Sequence, residues 1–169
     1  FLPFPGWQKM VAFLSSASIL SYGIGPICLL ALRKIQPEQR RPFKLLGSLF
    51  FCNIAFYVCN LMLYWCGFSV IWKLCLAILF GFIIYLCYQK RNFWSGNYSL
   101  YWFFSYITVL LLLSYLGPFG GIARLKFPFG MLIIFPFSLL MLYLSQYCLV
   151  RDQAEKESFD LMNKQLQDL

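Results

Sequence analysis

Histidine is absent from the chain, and carboxylates are scarce. Of the six acidic residues, Glu38 is the only one ahead of Asp152, and none lies inside a long apolar run. This removes His-based acid–base catalysis, a carboxylate proton relay and a paired-carboxylate hydrolytic site from these residues. A Ser or Cys nucleophile would find no base beside it. The seven cysteines contain no CxxC pair, and the acids a hard-metal site needs are missing. We therefore expect no enzyme, no metal and no cofactor here. No charged n-region followed by a short apolar stretch and a small-residue cleavage site opens the chain. Phe1 stands where an initiating Met would be, so we expect a piece of a longer protein.

What is present is apolar surface. The 169 residues are 61% hydrophobic and only 12% charged, with a mean hydropathy of +0.70. A soluble domain of this length would be about 25% charged. A small core cannot absorb so much apolar surface, whereas lipid can. A hydrocarbon layer of about 30 Å needs roughly 20 helical residues. Five runs meet that length: 10–32, 45–66, 69–88, 98–116 and 129–150. Lys73 is the one charge among them. Strict apolar–polar alternation is missing, which argues against barrel strands. The expected fold is an all-α membrane protein of five transmembrane helices, antiparallel where the connections are short. No internal repeat is visible.

The few charges are unevenly placed. "ALRKIQPEQRRPFK" (31–44) holds five cations in fourteen residues: Arg33, Lys34, Arg40, Arg41 and Lys44. With Lys90, Arg91, Arg151, Lys156 and Lys164 they make ten on one side, against Lys9, Lys73, Arg124 and Lys126 on the other. The positive-inside rule then puts residues 1–9 outside. The 33–44 loop and the 151–169 tail fall in the cytoplasm, with Arg33, Lys34, Arg40, Arg41 and Lys44 as topology determinants. The net charge of +8 needs no nucleic acid to explain it, because the cations flank apolar spans instead of lining one surface. Trp7, Trp65, Trp72, Trp94 and Trp102 lie at or near span ends, where indoles favour the interface.

Two spans carry a polar pattern. Cys52, Cys59 and Cys66 repeat every seven residues, as do Asn53 and Asn60. A metal or redox stripe is one reading. The preferred one is that the thiols pack as small hydrophobes and the amides bond a neighbouring helix. In the first span, Ser15, Ser18, Tyr22 and Gly25 share one helical face, which we expect to look inward. Gly23, Gly25 and Pro26 follow the hydroxyls closely and predict a kink, since Pro26 has no N–H for the helical ladder. The face is either a cavity wall or gate, or an ordinary small-residue packing surface. In the tail, Phe159, Met162, Leu166 and Leu169 form a narrow apolar stripe beside five acids and three bases. We read it as a frayed, solvated end, with a short docking helix as the alternative.

"LSSASILSYGIGPICLLALRKIQPEQRRPFK", with the upstream "FLPFPGWQKM", resembles the tenth helix and following loop of amino acid–polyamine–organocation transporters. The nearest branch is the fourteen-helix aspartate/glutamate–proton symporters. The matching features are the small, hydroxyl-rich helix, the "ALR" exit and the "RPF" before the next span. The resemblance implies the C-terminal part of an inverted-repeat (5+5) fold, whose substrate binds mid-membrane at broken helices outside these residues. The first span would be the last helix of the second repeat, with Ser18, Ser21 and Tyr22 in its substrate-pathway region. The other four would serve as scaffold, lipid contact or homo-oligomer interface. It implies proton-coupled uptake of an acidic amino acid across the cell (inner) membrane, with amino acid, protons and lipid as partners. The alternatives are a channel or transporter of unrelated fold, or a non-transporting scaffold or enzyme subunit.

Overall fold

The computed structural model describes residues 6–40, 46–88, 98–125 and 127–167, with the backbone alone for 127, 128, 156, 157 and 159–167. Five helices account for most of them: α1 (Trp7–Ile35), α2 (Ser48–Cys66), α3 (Phe68–Tyr88), α4 (Tyr98–Leu116) and α5 (Phe127–Gln167). Each contains a stretch long and apolar enough to cross a membrane, and no strand occurs among the described residues. Lipid offers the backbone no hydrogen-bond partner, so a helix that satisfies its own N–H and C=O groups is the local solution these runs share.

Helix α2 lies at the centre. It touches all four other helices, whereas among the described residues α1 and α4 do not touch, nor do α3 and α5. Its buried face of Cys52, Phe56, Asn60, Leu63 and Tyr64 meets Ile27 and Leu30 of α1, Leu74 of α3, Tyr106 and Leu110 of α4, and Met141 and Leu142 of α5. Outward side chains such as Phe80 (67% exposed) and Leu132 (72% exposed) form the lipid-facing coat. Between helices in lipid, close packing and hydrogen bonds do the work that water exclusion does in a soluble core. Aromatic stacking contributes: Tyr106 lies nearly parallel to both Trp102 and Phe137, at centroid distances of 5.6 and 6.0 Å.

One residue, Gly67, turns the chain from α2 into α3. Its φ of 86° suits glycine. A Cβ there would also stand 2.8 Å from the Phe119 carbonyl oxygen, which accepts the Phe68 N–H at 2.9 Å. The α4–α5 connection is thereby pinned to the start of α3.

One expectation needs correction. The tail does not separate at Arg151, because α5 runs unbroken from the apolar span through Gln167. A frayed end therefore gives way to a helical extension; the side chains of the 159–169 stripe lie outside the described residues. The helix of α1 continues through Gly23, Gly25 and Pro26, and a proline kink is a bend that leaves a helix unbroken.

Candidate functional site

Helix α1 has two unlike faces. Ser16, Gly23, Ile27, Leu30 and Ala31 are buried against the other helices. Gly23 faces α2, with Phe56 and Cys59 3.8 Å from where a Cβ would stand, an ordinary van der Waals distance. Ser15, Ser18, Ser21, Tyr22 and Gly25 point the other way and are exposed, Tyr22 at 71%. The expectation that this stripe turns inward thus fails for these five helices, because the buried role goes to the opposite face. The hydroxyls share one surface, free for another element, substrate or water. Ser18 Oγ donates to Leu14 O at 3.1 Å, a local bond that serines in apolar helices make when nothing better is near. The Tyr22 carbonyl lacks its ordinary helical donor, because residue 26 is proline.

The buried face is tied to α5 by an amide. Gln146 Nε2 donates to the Ile27 carbonyl at 3.0 Å, one residue beyond Pro26. The Gln146 side chain is nearly inaccessible, and its Oε1 has no hydrogen-bond partner among the described residues. Deeper in the bundle, Asn60 joins three helices. Tyr106 OH donates to Asn60 Oδ1 at 2.6 Å, Asn60 Nδ2 donates to Ser138 Oγ at 3.0 Å, and Ser138 Oγ donates to Ile134 O at 2.7 Å. Cys52 is buried and Cys59 and Cys66 half-buried, and no group of three metal-binding side chains occurs among the described residues.

At the basic end, Asp152 closes the start of α4. Its carboxylate accepts the backbone N–H of Tyr98 at 2.7 Å and of Ser99 at 2.9 Å, and the Ser99 hydroxyl also donates to it. Arg151 lies over the Tyr98 ring, 4.3 Å from its centroid. Arg33 donates to Ser48 Oγ at 2.6 Å and so joins the end of α1 to the start of α2. Lys34 and Arg40 are exposed, while Arg41 and Lys44 lie outside the described residues.

Sequence reasoning named Asn60 as an interhelical amide but passed over Tyr106, Ser138 and Gln146. An uncharged polar residue within an apolar run was the available signal for each. Asp152 was grouped with the solvated tail, since nothing local distinguishes it from the other acids there.

Five packed, lipid-coated helices with a polar seam and one exposed hydroxyl face define a multi-pass helical membrane protein. Comparison with known proteins finds two transporters similar to it. The chain is 32% identical over 158 residues to the aspartate-proton symporter of Bacillus subtilis (strain 168), covering 86% of this chain and 29% of the symporter. It is 31% identical over 143 residues to the glutamate/serine transporter AimA of the same organism, covering 81% of this chain and 26% of that one. The chain thus spans less than a third of the length of the curated relatives it matches. Both are transporters by name and neither is an enzyme. No protein-family model matches the chain. No solved structure matches it either.

Proposed function

We propose that these helices form the C-terminal part of a proton-coupled amino-acid transporter of the amino acid–polyamine–organocation type, which takes up an acidic amino acid. The observation that carries this reading is the similarity to an aspartate-proton symporter over 86% of the chain. In that reading α1 ends the second inverted repeat. Its exposed stripe of Ser18, Ser21 and Tyr22 faces the repeat core and borders the substrate pathway. The exposure of these hydroxyls on a helix whose other face is fully packed supports the assignment, since hydroxyls gain nothing from lipid. Helices α2 to α5 act as a buttress, with Gln146 gripping α1 beside Pro26. The protein resides in the cell membrane with the Arg33–Lys44 loop and the end of α5 in the cytoplasm.

The test is uptake of radiolabelled L-aspartate by the intact protein in proteoliposomes under an inward proton gradient. Saturable uptake that collapses with a protonophore is expected. Uptake of aspartate and glutamate no greater than in empty liposomes would overturn the proposal. Tyr22→Phe should weaken apparent affinity two- to twelve-fold, the equivalent of about 0.5–1.5 kcal/mol for one neutral hydrogen bond. Cys at Ser18 or Ser21 should react with a polar thiol reagent more slowly when aspartate is present. Unchanged kinetics and no protection would remove α1 from the pathway while leaving transport itself standing.

A further inference from the structure

The end of the bundle opposite Asp152 carries cations that meet no counter-charge among the described residues. Lys9 lies in the first turn of α1 and Lys73 in the second turn of α3, inside an apolar span. Both are exposed. They line two adjoining cavities between α1 and α3. One, of about 590 Å³, is walled by Met10, Phe13, Leu14 and Leu76. The other, of about 300 Å³, includes Gln8 and Ser69. Among the described residues no carboxylate lies at this end of the bundle. Glu38 follows the far end of α1, and Asp152 and Glu155 lie where α5 meets the start of α4. A charge at membrane depth is costly unless an anion meets it.

We infer that this α1–α3 groove binds an anionic phospholipid. Its phosphate bridges Lys9 and Lys73, and an acyl chain lies along Met10, Phe13, Leu14 and Leu76. The groove has the two parts such a ligand needs, a cationic mouth with hydrogen-bonding neighbours and an apolar wall running into the bilayer. A free phosphate ester would use only the mouth. The inference does not depend on which membrane face the groove is on.

The experiment is native mass spectrometry of the intact, delipidated protein, titrated in detergent with dioleoyl phosphatidylglycerol or dioleoyl phosphatidylcholine. Preferential retention of phosphatidylglycerol is expected, weakened about fivefold by Lys9→Gln or Lys73→Gln and about 25-fold by the double variant. Lys9→Arg and Lys73→Arg should retain the preference and control for folding, which size-exclusion chromatography reads separately. Equal retention of the two lipids, or a preference untouched by the double variant, would overturn the proposal. So would full displacement by millimolar sn-glycerol 3-phosphate, which would assign the mouth to a soluble phosphate ester. If the Gln variants unfold while the Arg variants stay folded without lipid preference, the lysines pair with a protein carboxylate and the lipid proposal fails.

Discussion

A methyl group at Gly117 would sit 2.8 Å from the hydroxyl of Tyr64, whose ring is almost completely buried. Gly130 of α5 meets the same hydroxyl from another side. Gly25, by contrast, has nothing within 4 Å. The same substitution should therefore have opposite consequences. Gly117→Ala should destabilise by about 1–3 kcal/mol through overpacking, seen as a lower unfolding temperature in detergent. Tyr64→Phe should relieve part of that loss, because it removes a hydroxyl that has no hydrogen-bond partner among the described residues. Gly25→Ala should leave the packing of these helices intact and gain up to about 1 kcal/mol in helix propensity. A clear loss at Gly25 would mean that another element packs on the exposed face of α1.

At the level of elements, α4 begins without an acidic residue in its first turn. Asp152, more than fifty residues away, supplies the charge and accepts two of its free N–H groups. A carboxylate at a helix N-terminus gains from both the hydrogen bonds and the helix dipole. Asp152→Asn should cost about 1–2 kcal/mol in thermal stability. Hydrogen exchange should then quicken at the start of α4 and leave the end of α4, beside Phe119, unchanged. Equal exchange along the whole helix would argue against a local cap. Through this bond the long α5 joins the start of α4, while Gln146 joins α5 to α1. The elements that cross the membrane are thus held at their basic end by side chains as much as by loops.

For the molecule as a whole, the ends of the bundle differ in charge and chemistry. The 36–40 segment follows α1 at one end, and Gly120 lies at the other, between α4 and the start of α5. In a background without native cysteines, Gln39→Cys and Gly120→Cys should label oppositely in intact cells. Gly120→Cys should react with an impermeant thiol reagent, and Gln39→Cys should react only after permeabilisation. Labelling of Gln39→Cys from outside would invert the topology that the cation distribution implies.

The membrane-helical class was legible from residue types alone, because it follows from quantities that add along the chain: run length, apolar content and the scarcity of charge. Lipid leaves such a run one backbone solution. The loop "RKIQPEQRRPFK" could likewise be read as basic without knowing its neighbours. Pairing was not legible. Composition says that Asn60 needs a partner in lipid, but Ser138, 78 residues on, is only one of many hydroxyls that could provide it. Gln146 reaches Ile27 across 119 residues, and only helix order and rotation select that carbonyl. The two faces of α1 show the same limit. Hydroxyls on one side and Gly23, Ile27 and Leu30 on the other are plain in the sequence, but which side meets α2 is settled by packing fit. Gly23, Ile27 and Leu30 pack against α2, Gly23 at Phe56 and Cys59, and that turns Ser18, Ser21 and Tyr22 outward.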